Sequence, residues 1–520
     1  MNFRWSVLLV AGVLAGPASA AGTNADVVRG LAARVGPIVG SASACQAIDQ
    51  GRVQAIVDKF REVIREASVG STDRDELTRV FNGYVADGRN RVGAAQTDCN
   101  TAGRQLVELE RSLGQAAPPQ ANLPALVPSA AAAATAPTAT LPAQSANNVQ
   151  GITPSEIRFG IAGPFSGASK ELGRQMKLGI DAAFNRVNDS GGVGGRMLRL
   201  YAADDGYEPS RTLEAMRQLY DRDKVFAFIG NVGTPTSAIS MPYALQRRTL
   251  FYGAFTGANI LRNDPPDRYV FNYRASYSEE TDTVVRYLIK LRRLQPRDIA
   301  VFAQQDSYGD AGFAGVSKAF RSLGLADSAI LRLGYKRNTV DVDEAVAQLR
   351  MLKNPPKAIV MVATYRAAAK FIEKTRDQYP NMIYTNVSFV GSTELSDELM
   401  LLGPRYANGV IVTQVVPAVG GYSSAVLEYK GALEKYFPGE APSYVSLEGY
   451  IAASVLIQAL KRTGTQLDTE TLIDTLENMQ TLDLGLGAKL GFGRAEHQAS
   501  HKIWGTTIDD KGKYQAIELE

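Results

Sequence analysis

Histidine is almost missing from this chain: His497 and His501 are the two in 520 residues. A hydroxyl or thiol nucleophile usually needs an imidazole base, so triad-type catalysis has almost no material here. The two are spaced i, i+4, like a metal-binding pair. Gln498 stands where a metalloprotease carries Glu, and the stretch lacks helical periodicity, so no metal is expected. Cysteine is as scarce, with only Cys45 and Cys99. Two thiols with no histidine nearby cannot complete a four-ligand zinc site. No Gly-x-Ser-x-Gly elbow occurs. The glycines 191, 192, 194 and 195 follow a helix and precede a strand, the reverse of a phosphate loop, and read as a turn. Charge of one sign is lacking too. Lys and Arg number 56 against 53 acids, for a net charge of +3, and they are scattered. Nucleic acid needs a basic stripe, and none is present. These absences argue against an enzyme, a cofactor and a nucleic-acid partner.

Long apolar runs are also missing, apart from a short one at the start. Arg4 supplies a positive region, Val7 to Leu14 an apolar core, and Ala18-Ser19-Ala20 a small-residue cleavage site. This is an export signal expected to be cut after Ala20, and it falls short of the ~20 residues that span a bilayer. With no cysteine at the cleavage site and no later membrane span, the expected location is the periplasm, without a membrane anchor. In that oxidising compartment the Cys45–Cys99 pair reads as a disulfide, with two free buried thiols as the alternative.

Three blocks follow the signal. Residues 21–115 carry helical stripes: Val53, Ile56, Val57, Phe60, Val63, Ile64; then Leu77, Val80, Phe81, Tyr84, Val85; then Cys99, Ala102, Leu106, Leu109, Leu113. Three such helices predict a small bundle, which a disulfide closing about fifty-five residues would stabilise by roughly 4 kcal/mol. Residues 116–150 have no charge and hold six prolines among Ala, Ser and Thr. They predict an extended tether reaching up to about 100 Å. From 151 to 520, strand-like runs at Ile157–Ile161, Leu198–Ala202, Val225–Ile229, Ile299–Phe302, Ala358–Val362 and Val387–Val390 alternate with helical stretches. That rhythm predicts an α/β fold of doubly wound sheets, and the length predicts two lobes.

Seven motifs fall where those strands end. They are Gly163-Pro164-Phe165-Ser166-Gly167, Asp204-Asp205-Gly206-Tyr207, Gly230 to Ser237, Ala254-Phe255-Thr256-Gly257, Asp306-Ser307-Tyr308-Gly309, Thr364-Tyr365 and Gly391-Ser392-Thr393-Glu394. The carboxyl edge of an open parallel sheet is where ligands bind. Hydroxyls, carboxylates and rings converge there without a nucleophile–base pair, which suits a protein that holds a small molecule without transforming it.

The same block resembles the type I periplasmic binding proteins of ATP-driven (ABC) importers, in the branched-chain amino-acid group. Ile157 to Gly167, Asn188 to Arg196, Phe271 to Ser276 and Ser307-Tyr308-Gly309 carry the likeness, which runs from Ile152 to Glu520 but does not reach the helical block. It implies two lobes joined by three crossovers, lobe one at about 152–272 and 416–485, lobe two at about 273–415 and 486–520. It also implies site residues. Thr234, Thr236 and Ser237 match a hydroxyl-rich loop that opens a helix and holds a carboxylate. Thr256 matches a second carboxylate contact, and the Ala254 carbonyl an acceptor for an ammonium. Tyr308 and Tyr365 match covering aromatics, and Glu394 the carboxylate that pairs with the amine. Pro235 interrupts the usual serine run and has no N–H, while Phe255 and Tyr207 add rings, so a planar or aromatic acid is as suitable as a branched-chain residue. The hydroxyls also suit helix caps, and the tyrosines interlobe packing; their convergence favours ligand contact. The implied partners are a small-molecule ligand and ABC permease subunits. A rival expectation is a sensor presenting its ligand to a membrane receptor.

Overall fold

The computed structural model describes residues 35–68, 70–93, 98–114 and 149–519, with Val28 and Ala32. The export signal and nearly all of the tether lie outside the described residues. The chain divides into two compact units, one within 1–139 and one within 140–520. No helix among the described residues is long and apolar enough to cross a membrane.

The first unit contains the helices Gln50–Ala67, Ser71–Gly93 and Cys99–Gly114. Asp49 caps the first of these by accepting from the Gly51 N–H at 2.8 Å. Val53, Ile56, Phe60, Ile64, Leu77, Phe81 and Leu106 from the three stripes are buried together, and the Phe60 and Phe81 rings stack at 4.4 Å. Cys45 and Cys99 form a disulfide with Cα atoms 5.6 Å apart. A further helical stretch, 35–43, has no counterpart in the sequence reading. Gly36 and Gly40 lower its intrinsic propensity, but tertiary contact repays them. A Cβ on Gly40 would lie 2.1 Å from the Val85 carbonyl, and one on Gly88 would lie 2.3 Å from that of Pro37. The glycines let two backbones cross closely, and the Ser41 hydroxyl donates to the Gly88 carbonyl at 3.0 Å.

The second unit holds two sheets. Strands β1 (Glu156–Gly163), β2 (Met197–Asp204), β3 (Ala227–Ile229), β4 (Phe251–Tyr252) and β5 (Val270–Phe271) form a parallel sheet in the order β2-β1-β3-β4-β5. The second sheet runs β12-β11-β10-β9-β8-β6-β7. Its parallel members are β6 (Ile299–Gln304), β7 (Leu331–Tyr335), β8 (Ala358–Val362), β9 (Ile383–Asn386) and β10 (Ile411–Gln414). Its edge is antiparallel, with β11 (Trp504–Ile508) and β12 (Tyr514–Ile517). The inner strands β3, β6 and β8 are buried along their whole length, which is why they read as unbroken apolar runs. On the first lobe, the helices Lys170–Asp189 and Tyr444–Thr463 pack backbone to backbone: a Cβ on Gly179 would meet the Ser446 carbonyl at 1.8 Å.

The chain passes between the sheets three times: after β5, after β10 and before β11. This is a pair of doubly wound lobes on a three-stranded hinge, preceded by a small all-α unit. The third passage comes later than residue 486. Residues 490–499 stay on the first lobe, with Phe492 against Tyr252 and Phe271 and Gln498 bridged to Asn272. One strand assignment also moves. Val387–Val390 is not a strand; the strand is Ile383–Asn386, and Ser388–Val390 is a 3₁₀ turn. Asn386 ends the ladder because its side chain bonds the Ala363 backbone and the Val387 N–H.

Candidate ligand-binding site

The hydroxyl loop opens the helix Thr234–Gln246 directly after β3, and Gly233 makes the turn at φ 102°. Thr234, Thr236, Ser237 and Thr256 are all buried, yet their hydroxyls have different fates. The Thr234 and Thr256 hydroxyls lie 2.7 Å apart across neighbouring strand ends. Thr236 is turned back onto its own helix, donating to the Val232 carbonyl at 2.5 Å. This is a back-bond to a carbonyl that precedes the helix, not a cap, and it engages the hydroxyl's proton. The Ser237 hydroxyl has no partner. The Ala254 carbonyl accepts the Thr256 N–H at 2.8 Å, so one of its lone pairs is engaged.

Three of the expected rings, Tyr207, Phe255 and Tyr308, meet around Phe389, to which the sequence assigns no site role. Phe389, in the 3₁₀ turn of the second lobe, lies 4.9 Å from Phe255, 4.8 Å from Tyr308, 6.1 Å from Tyr277 and 6.2 Å from Tyr207. Phe255 and Tyr207 belong to the first lobe, Tyr277 and Tyr308 to the second, so the cluster bridges the lobes. Tyr308 is fully buried with an unpartnered hydroxyl, and burial pushes its phenol well above its ordinary pKa. Tyr207 has another job as well. Its ring packs on the Gly233 backbone, where a Cβ would come within 2.3 Å, and its hydroxyl accepts from Gln304 of the second lobe at 3.2 Å.

Tyr365 also reaches across the lobes, donating to the Ala168 carbonyl at 2.8 Å. Close by, Gly391 adopts φ 79° ahead of the helix Ser392–Leu402. A Cβ there would meet Leu172 of the first lobe at 2.8 Å, the Glu394 carboxylate at 3.0 Å and the Tyr365 ring at 3.4 Å. Glu394 therefore sits at the lobe boundary. It is 8% exposed, and its Oε2 has no partner. Burial, reinforced by Glu171 and Asp397, pushes its pKa up to about 7.

Two polar contacts fasten the rim. Arg337 bonds Glu208 of the opposite lobe and Asp306 of its own, each at 3.0 Å. Asn338 donates to the Gly206 carbonyl at 3.1 Å. Beneath the rings, Arg274 on the first crossover is fully buried. It pairs with Glu280 at 2.8 Å and Glu448 at 3.5 Å, and lies 5.4 Å from the Phe255 ring centre. Arg274 lies within the Phe271–Ser276 crossover motif and Phe389 within the Val387–Val390 run, but the sequence assigns neither a site role. The usable signal for Arg274 is a cation within the crossover motif Phe271–Ser276; Phe389 gives none beyond its apolar neighbours. His497 and His501 lie on an extended segment. His497 stacks on Phe271 at 3.8 Å, and His501 pairs with Glu279 at 2.6 Å.

Two lobes closing polar and aromatic side chains between their carboxyl edges, with no reacting pair among them, define a hinged binding protein. The chain belongs to the periplasmic binding protein family, whose model matches residues 156–513. It groups with the type I, branched-chain amino-acid branch. A crystal structure of a possible leucine/isoleucine/valine-binding protein from Rhodopirellula baltica is 39% identical, covering 72% of this chain and 99% of that one, with a TM-score of 0.67. A substrate-binding periplasmic protein from Ralstonia solanacearum is 26% identical, covering 70% of this chain and all of that one, with a TM-score of 0.63. Among curated proteins, an amino acid binding protein of Pseudomonas aeruginosa is 24% identical over 70% of this chain and 93% of its own length. These relatives are binding proteins rather than enzymes.

Proposed function

We propose that this protein captures an α-amino acid between its lobes in the periplasm and hands it to the permease subunits of an ABC importer. The observation that carries the reading is the pair of buried polar atoms without partners on opposite lobes, the Ser237 hydroxyl and the Glu394 Oε2. Buried polar atoms are normally satisfied, so two left open at a lobe boundary mark where a ligand supplies the missing partners. The helix start at Thr234 offers N–H groups and dipole to a carboxylate. The Thr234–Thr256 hydroxyl pair adds donors, and Glu394 suits an ammonium. The names of the relatives, which include Leu/Ile/Val-binding proteins, support the same class. The ring cluster around Phe389 favours an apolar or aromatic side chain. Tyr365, Tyr207 and Arg337 hold the closed form.

A thermal-shift screen of the full-length protein against amino acids, amides and aromatic acids tests this. Stabilisation by one or more α-amino acids is expected. Stabilisation only by acids without an amine would contradict the assignment of Glu394.

The uncharged tether further suggests that the helical unit and the binding unit fold independently. A chain beginning at Gly151 should keep the full-length protein's affinity for the screened ligand, measured by calorimetry. A folded fragment that has lost binding would make the helical unit part of the site.

A further inference from the structure

The second lobe has a concavity at the edge opposite the cleft. The cleft motifs stand where parallel strands end, whereas Ile383 and Ile411, which line this cavity of about 260 Å³, are the first residues of β9 and β10. Arg292 and Arg376 line it too, and no aspartate or glutamate does. Arg292 follows the helix Tyr277–Lys290, is exposed, and has no ion pair or side-chain hydrogen bond among the described residues. Arg376 ends the helix Tyr365–Arg376. Its Nη2 donates to the Tyr406 and Asn408 carbonyls at 3.3 Å each, and its guanidinium lies 4.7 Å from the Tyr384 ring centre. Its Nε is buried without a partner. Asp377, the next residue, is taken by Arg405 at 3.2 Å and by the Tyr406 hydroxyl at 2.9 Å. Closing a helix end accounts for one nitrogen of Arg376 and for nothing of Arg292. The Tyr287 and Thr507 hydroxyls and the Asn381 amide, on the same cavity, are likewise unengaged among the described residues. Two like charges around one space repel, so an anion between them is favoured.

We propose that this cavity is a second binding site, for a small organic anion whose phosphate or carboxylate head sits between Arg292 and Arg376 and whose apolar body lies along Ile383 and Ile411. Guanidinium groups match both heads with paired N–H donors. A neighbouring cavity of about 410 Å³ shares Arg292, Asn381 and Ile383 and is also lined by no acid, which leaves room for a body beyond the head. Convergent polar groups on an apolar wall are what a small-molecule site requires. Every residue named here belongs to the second lobe, so the site is the same whether the lobes are open or closed, and it is independent of what the cleft binds. A bound anion would link the ends of the helices Tyr277–Lys290 and Tyr365–Arg376, and would stabilise the second lobe by mass action.

Phosphorus NMR of phenyl phosphate titrated with the full-length protein tests this. Saturable broadening of its resonance is expected, reversed by hexanoate and far less by inorganic phosphate, which has no apolar body. Arg292→Glu and Arg292→Ala should each weaken binding by about tenfold or more, the order expected for losing one charge-assisted contact. Because the Arg292 side chain has no other partner among the described residues, both variants should keep the wild-type melting temperature. The cleft variant Thr256→Val should bind phenyl phosphate as the wild type does. Equal binding in the wild type and both Arg292 variants, or loss in Thr256→Val, would place the anion elsewhere and overturn the proposal. Absence of saturable binding of both phenyl phosphate and hexanoate would overturn it as well. Vesicles of phosphatidylglycerol and phosphatidylcholine separate the two sources of such a head. Co-sedimentation that needs Arg292, without binding of phenyl phosphate or hexanoate, would make the partner a lipid surface and overturn the small-molecule site.

Discussion

Replacing Arg274 by methionine is expected to destabilise the binding unit by about 3–5 kcal/mol, the usual cost of removing one partner from a buried ion pair. Arg274 lies on the first crossover. Its guanidinium reaches Glu280 of the second lobe and Glu448 of the first, and bonds the Ser388 hydroxyl. Glu280 in turn accepts from the Ser388 N–H at 2.8 Å and from the Thr413 hydroxyl at 2.5 Å. One cation therefore ties the first crossover to the second lobe's helix Tyr277–Lys290, to the turn that carries Phe389 and to the first lobe's helix Tyr444–Thr463. Methionine fills similar volume but leaves two acids in a dry interior. Glu448, already pushed up to about 7 by burial, would take a proton, and Glu280 would lose its guanidinium partner. Urea unfolding followed by Trp504 fluorescence reads the effect as a lower midpoint. An unchanged midpoint would mean that the network adds nothing to the hinge. Replacing Arg274, Glu280 and Glu448 together by apolar residues should recover much of the loss, since the penalty lies in the unpaired acids.

The second large effect is on binding. Thr256→Val keeps the shape of the side chain and removes the hydroxyl that lies 2.7 Å from Thr234. If that pair faces the ligand's carboxylate, a buried anion loses a donor. The expected cost is ~1.5–3 kcal/mol, or about tenfold to more than a hundredfold in affinity. Thr236→Val serves as the contrast. Its hydroxyl is turned onto the Val232 and Gly233 carbonyls, so that substitution should lower stability more than affinity.

Much of this architecture was readable because it is local. β1, β2, β6 and β8 show as apolar runs ended by Gly, Asp or Thr. The helix beginning at Thr234 shows as a hydroxyl loop after such a run. What could not be read depends on long-range partners. Arg274 finds Glu448 174 positions away, and no spacing rule encodes that. Phe389 sits in an apolar stretch that suits a strand interior; only the Asn386 side chain and the left-handed Gly391 turn it into a loop that aims the ring at the opposite lobe. Tyr207 looked like a ligand ring because it ends β2. Its left-handed backbone, at φ 61°, and the contact of its hydroxyl with Gln304 of the other lobe were not legible. The helical stretch 35–43 was hidden by glycines whose value appears only where another backbone crosses them.

The central claim is that the cleft holds an amino acid without altering it. Calorimetric titration of wild-type protein beside Thr256→Val, with the ligand recovered afterwards and checked by mass spectrometry, tests it most directly. The expected result is one saturable site per chain, an affinity at least tenfold weaker in the variant, and ligand returned at its original mass. A chemically changed ligand, or saturable binding of equal strength in both proteins, would contradict it.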